Sequence, residues 1–374
     1  MGGDLATIVT AAPPTVTLPP TTIAAEQPTT VVPTSGDADT TAPADVSINT
    51  VDVAGIVDSG AVGADLAWVL ASDGTAQVTV DGGATWRSID TPADATTLTF
   101  ADATHGWLTT ATSGWFATHD GGATWSDLGA LGEVPTGDPV AADPATGQVF
   151  AAVGGDGGLH LLVSPLASDD FVDVGLTVPY GAGPVFDVSM FARDGSAWVV
   201  SNDRTVVGGI LVEDGTADAS WLPPAADKFG PVAIVGAAGS TLLWAIADTG
   251  QWGGEVDPLA RIYLSVEGGT VWQEVQGPPG IGQTAPAGAS TGDASLYVGV
   301  GPVLYSSQIQ GLSDPPTWTE VADLTADGVG AIVEVRAPAA GVVDLRVIAG
   351  DHEEIWRSVD GGGSWQALVR AAGA

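Results

Sequence analysis

Cysteine is absent from this 374-residue chain and basic residues are scarce: one lysine and eight arginines stand against 45 acidic residues, a formal net charge of −36. Without cysteine there is no disulfide framework, no thiol nucleophile and no thiolate metal ligand. So few cations exclude nucleic acid and anionic membrane surfaces as partners, because both are held by lysine and arginine. No apolar run approaches the ~18 residues of a transmembrane helix, and no long amphipathic helix can be read. Met1-Gly-Gly-Asp4 lacks the charged start and apolar core of a signal peptide. The four histidines, His105, His119, His160 and His352, show no ligand spacing, so neither metal nor cofactor is expected. There is no Gly-x-Ser-x-Gly elbow, and the glycine-rich Gly154–Gly158 lies between strands and precedes no helix, which excludes a phosphate-cradling loop.

Residues 11–44 hold seven prolines and nine threonines, with no aromatic, lysine or arginine. Such a composition buries too little apolar surface to fold, so residues 1–45 read as a disordered, partly polyproline stalk, about 100 Å long at ~3.1 Å per residue. The Gly-Gly-Asp start running into this stalk resembles the mature start of a bacterial lipoprotein. That resemblance implies a lipid anchor at the native N-terminus, with Met1 in the place of the lipidated cysteine, and a secreted or cell-surface location. Removing the stalk's five acids leaves residues 46–374 with 40 acidic and nine basic residues, a net of −31. Such a surface keeps a protein soluble; the sharper reading is a cationic partner.

What the sequence does have is a repeated phrase. Thr79-Val-Asp81-Gly-Gly83-Ala-Thr-Trp86 returns as Thr118-His-Asp120-Gly-Gly122-Ala-Thr-Trp125, and altered copies run from Ser265 through Glu267 and Gly269 to Trp272 and from Ser358 through Asp360 and Gly362 to Trp365. Extended runs enter and leave each copy, which is a hairpin signal. The aspartate can accept main-chain N–H groups just ahead, the glycines can take positive φ, and the Thr or Ser hydroxyls can add bonds to the same turn. Loss of one such aspartate should cost about 1 kcal/mol, and Glu267 should fit its turn less well. The tryptophan is expected to pack beside its own hairpin.

This phrase resembles the Asp-box, or BNR repeat, of β-propellers such as sialidases, xyloglucanases, sortilin-type receptors and photosystem assembly factors. The resemblance implies blades of four antiparallel strands with the box between strands three and four. Markers at even spacing then count the blades. Trp86, Trp125, Phe171, Trp221, Trp272, Trp318 and Trp365 are separated by 39, 46, 50, 51, 46 and 47 residues. Trp68, Trp107, Trp198, Trp244 and Tyr297 form a second series 18 to 28 residues ahead. The expectation is an all-β, seven-bladed propeller of four-stranded antiparallel blades over residues 46–374. A two-sheet sandwich does not repeat a four-strand unit. The joining strand falls within Val46–Thr50 or Val51–Val57.

The fold leaves function open. A true sialidase gathers three arginines on a carboxylate; here Arg87 and Arg357 lie in box hairpins, Arg336 and Arg346 in apolar strands and Arg370 in the tail. That leaves Arg193, Arg204 and Arg261 scattered, and the Arg-Ile-Pro segment of sialidases is absent. A two-carboxylate glycosidase needs acids about 5 to 9.5 Å apart. The candidates on the loop face, opposite the boxes, are Glu133, Glu255, Asp257 and Glu353. The long connection from Asp248 to Ala260 carries Trp252, and Tyr180, Arg204, Lys228 and Phe229 are placed on the same face as a binding surface. The expectation is a monomeric, non-enzymatic propeller that binds a protein or glycan through that face. A propeller-type glycoside hydrolase and an envelope scaffold are the alternatives.

Overall fold

The computed structural model describes residues 48–372, apart from 179–187, 194, 204–205, 214–215, 222–231, 239–241, 249–259, 266–270, 282–286, 291–294 and 309–315. The expected stalk therefore lies outside the described residues. Those described form seven antiparallel sheets, each built on four strands consecutive in the chain. Blade 1 comprises Ile56–Val62, Leu66–Ala71, Thr75–Thr79 and Arg87–Asp90, and blades 2 to 7 begin at Ala95, Val140, Val188, Val232, Ala287 and Val329. The first strand of every blade touches the first strand of the next, including blade 7 against blade 1, so the sheets close into a ring. This is a seven-bladed β-propeller, as the marker spacing predicts.

The core lies between the blades. One cluster joins Leu66, Trp68 and Ile89 of blade 1 to Leu98, Phe100 and Leu108 of blade 2, and further clusters join blades 2 and 3, 3 and 4, 5 and 6, 6 and 7, and 7 and 1. Each early aromatic, from Trp68 to Tyr297, sits in its blade's second strand and is buried. Trp68 also donates its Nε1–H to Leu98 O of blade 2 at 2.6 Å. Truncating such a buried tryptophan typically costs about 3–5 kcal/mol, several times the value of one capping aspartate.

The box turns form as their residues dictate. Thr79 Oγ1 accepts the Gly83 N–H at 2.9 Å, and Asp81 accepts the Thr79 hydroxyl, the Thr85 N–H and the Thr85 hydroxyl at 2.8, 2.8 and 2.6 Å. The same four bonds recur around Thr118 and Asp120 and around Ser358 and Asp360. The Thr124 hydroxyl foremost pulls Asp120 down to about 2, so the carboxylate is charged throughout the physiological range. Ser265 and Trp272 flank the third turn, between the strands Ala260–Ser265 and Gln273–Val275, whereas Glu267 and Gly269 lie outside the described residues.

In the three described turns the second glycine faces the preceding blade. A Cβ on Gly83 would lie 2.4 Å from Leu368 of blade 7, one on Gly122 2.6 Å from Ile89 of blade 1, and one on Gly362 2.1 Å from Val321 of blade 6. The box tryptophans reach the same way rather than only packing on their own hairpins. Trp125 donates to Asp90 O of blade 1 and Trp318 to Gln276 O at the end of blade 5. One marker is displaced: Trp221 ends the fourth strand of blade 4, opposite Gly209, because that strand already begins at Thr216, paired with Glu213. It kept the spacing without occupying a box position.

Ring closure uses Val51–Val53, which runs parallel to the last strand, Gln366–Ala371. Three arginines of blade 7 fasten the same seam to blade 1. Arg336 donates to Ser59 Oγ at 2.8 Å, Arg346 to Ile56 O at 3.1 Å and Arg357 to Ala64 O at 3.0 Å. Arg357 is fully buried and pairs with Asp344 through two bonds of 2.7 Å.

Two measurements follow from these contacts. Gly350 and Gly362 both hold positive φ, but only Gly362 abuts a neighbouring blade. Gly350→Ala should cost about 1 kcal/mol of unfolding free energy, and Gly362→Ala about 1–3 kcal/mol more; equal losses in urea titrations would refute the inter-blade seat. Arg357→Met should lower stability by about 3–5 kcal/mol, since it strands a buried carboxylate.

Candidate binding site at the channel mouth

Each of the three described box turns shares a face with the first hairpin of its blade: the N–H groups of Gly82, Gly121 and Gly361 bond Asp65 O, Thr104 O and Gly341 O at 2.8, 2.9 and 2.8 Å. The strand two-to-three connections and the crossovers between blades therefore lie on the opposite, loop face. Asp248 and Ala260, the residues on either side of the long connection of blade 5, pair with each other. Trp252, Glu255 and Asp257 of that connection lie outside the described residues, as do Tyr180, Arg204, Lys228 and Phe229.

The first strands enclose a channel, and near its loop-face end charged side chains collect. A β-bulge between Ile56 and Asp58 re-aims Asp58 in blade 1, and bulges on either side of Glu334 do the same in blade 7. Asp58 Oδ1 accepts the Ser59 N–H and Oδ2 the Leu98 N–H of blade 2, both at 2.7 Å. Arg336, besides holding Ser59, pairs with Glu334 at 2.5 Å. Asp138 arrives from the crossover between blades 2 and 3, where Gly137–Asp138 pairs in parallel with Val188–Ser189 of blade 4 before Pro139 turns the chain into blade 3.

These residues line a cavity of about 590 Å³ that runs along the channel from Gly288, at the start of the first strand of blade 6, to Arg193, at the opposite end of the first strand of blade 4. An adjoining cavity of about 400 Å³ adds Thr96, Thr97 and Thr110 and shares Asp58 and Asp138 with the first. Burial foremost, and then the charge of Asp138, pushes Asp58 up to about 7. Burial also raises Glu334, against the pull of Arg336.

Of the four expected acids, the two described ones, Glu133 and Glu353, lie away from this cavity. Glu133 has an exposed side chain, and its backbone pairs with Gly154 in both directions at 3.0 and 2.8 Å. Glu353 is the ion-pair partner of Arg346. Neither lines the cavity, whose described acids are Asp58, Asp138 and Glu334. The visible signal was an acid inside an otherwise apolar first strand, in Ile56-Val-Asp58 and Ile332-Val-Glu334-Val335. Of the arginines, Arg261 pairs with Glu274 and Arg370 with Glu354, so neither is offered to a substrate carboxylate. Among the described residues no group of three or more His, Asp or Glu side chains is arranged to hold a metal ion.

No protein-family model matches the chain, and no curated protein is similar to it in sequence. Its fold is similar to that of solved structures. A YCF48 structure bound to D1 peptide matches with 18% identity and a TM-score of 0.57, covering 83% of this chain and 95% of that one. The tricorn protease matches at 12% identity and a TM-score of 0.54, covering 83% of this chain and 34% of its own. A Niastella koreensis GH74 enzyme matches more loosely, at 12% identity and 0.42, over 84% and 65%. At these identities the likeness extends to the propeller architecture.

The Asp58 pair predicts a pH effect. The folded chain retains a proton on Asp58 between 3.8 and about 7 where the unfolded chain has lost it. The stability this group contributes is therefore full below 3.8 and is lost as pH rises toward 7. Removing the facing charge by Asp138→Asn should make the fall in urea midpoint over that window shallower than in the parent; identical slopes would refute the coupling.

Proposed function

We propose that this chain is a non-enzymatic propeller of the cell surface or exterior that binds a protein segment bearing lysine or arginine at the loop-face mouth of its channel. The carrying observation is the polar cavity itself, where Asp58, Asp138 and Glu334 outnumber the arginines on a chain of net charge −36. Carboxylates in a half-enclosed site attract and orient cationic side chains and speed their arrival. The architectural match to a propeller with peptide bound supports a peptide over a glycan.

A hydrolase is the second reading, favoured by one observation: a carboxyl raised to about 7 next to another acid is how a general acid is prepared. Against it, both Asp58 oxygens already accept main-chain N–H groups, which ties the residue to the seam between blades 1 and 2.

Fluorescence titration with arrayed basic, neutral and acidic peptides, alongside a glycan array and a glycosidase substrate panel, separates the readings. Basic peptides should bind selectively, weaken in high salt, and weaken at least about fivefold on Asp138→Asn, roughly 1 kcal/mol. Turnover of a glycoside that disappears with Asp138→Asn would establish the hydrolase instead. Binding of acidic and basic peptides alike would refute the proposal.

A further inference from the structure

On the box face, away from the channel mouth, two histidines that are 14 residues apart in sequence come together beside blade 3. His105 ends the first hairpin of blade 2, and His119 fills the variable position of its box, Thr118-His119-Asp120. Their ring centroids are 5.3 Å apart, with planes at 77°. Each ring is held by a carboxylate. Asp102 Oδ2 lies 2.8 Å from His105 Nδ1, and Asp102 Oδ1 is fixed by the Thr104 and His105 N–H groups at 2.7 and 2.9 Å. Asp169, from the turn between the strands Gly158–Pro165 and Val172–Val178 of blade 3, places Oδ2 2.9 Å from His119 Nε2.

A carboxylate accepts, so the nitrogen facing it carries the proton in a neutral imidazole. That leaves lone pairs on His105 Nε2 and His119 Nδ1. Carboxylate-backed imidazoles are the usual way in which proteins present histidine to metals. With metal–nitrogen bonds of about 2.0–2.1 Å, two imidazoles on a tetrahedral ion have centroids about 5 Å apart, close to the separation found. Asp169 is held at the interface with blade 3, where its Oδ1 is buried with no hydrogen-bond partner.

We propose that His105 Nε2 and His119 Nδ1 form a two-imidazole site for a borderline divalent ion of the Zn²⁺ class, completed by water and backed by Asp102 and Asp169. Occupancy would strap the box of blade 2 to the first hairpin of the same blade. The ligand sequence separation hid the pair from sequence reading, since it matches no metal motif.

His160 and His352 provide internal controls, because each contacts a carboxylate. Calorimetric titration of the whole chain with Zn²⁺ in excess Mg²⁺, which occupies surface carboxylates, should show one saturable equivalent. Long-range proton–nitrogen NMR of the four imidazoles should show Nδ1–H on His105 and Nε2–H on His119 before addition. Zn²⁺ should then shift these two rings and leave His160 and His352 unmoved. His105→Gln and His119→Gln should each weaken binding at least tenfold, and Asp169→Asn about tenfold, with thermal midpoints in metal-free buffer unchanged for the exposed His119→Gln. Absence of saturable binding, binding that survives both histidine variants, or the opposite tautomers would overturn the proposal and leave the pair as an edge-to-face packing contact.

Discussion

The ring depends on the seat between each box turn and the outer strand of the blade before it. A four-stranded blade has no core of its own; its apolar residues are buried only against a neighbour, as the inter-blade clusters show. The turn must therefore do more than reverse the chain. With a bare Cα at Gly83, Gly122 or Gly362, it approaches Leu368, Ile89 or Val321 more closely than any other residue type could. The Asp and Thr bonds keep the turn in the one shape that makes this approach. A local motif thus sets a long-range spacing.

The same constraint explains where the scarce cations go. Blades 1 to 7 are successive in the chain, so six seams close between sequence neighbours, while the seventh must join residues nearly 300 positions apart and bears the larger loop-closure cost. That seam receives the parallel strand Val51–Val53 and three of the eight arginines, each donating to a blade 1 oxygen. In a chain of net charge −36 these arginines also neutralise Glu334, Glu353 and Asp344, so they serve closure and relieve repulsion at once.

How much of this was legible in the sequence follows from what is local. The box phrase fixes its own turn, and both aromatic series lie within single blades, so the blade count and the burial of the second strands could be read directly. Trp221 shows the limit of spacing alone: it held the period from the far end of its strand. The closing strand could be narrowed to two neighbouring segments because only residues at the chain's start were available for it. The site was less legible. Asp58, Asp138 and Glu334 meet only through ring closure and β-bulges, and a bulge leaves no mark in a period-two pattern. Likewise, Asp169 reaches His119 only because blade 3 packs beside the box of blade 2.

The division of labour between the faces bears on what kind of function the channel mouth can have. On the box face the turns repeat one chemistry, and three of them carry identical hydrogen-bond sets. On the loop face the crossovers differ in length and content, and one of them delivers Asp138 into the cavity. Asp58 stands between these roles: its position at the mouth exposes it to a ligand, yet its two oxygens tie Ser59 of its own strand to Leu98 of the next blade. Ionisation strengthens that tie, since a carboxylate accepts N–H bonds better than the neutral acid does and both main-chain bonds pull Asp58 toward its charged form. Burial and the charge of Asp138 oppose that ionisation, and a docked cation would offset both, so the geometry that holds blades 1 and 2 together is also one that a cationic ligand would reinforce.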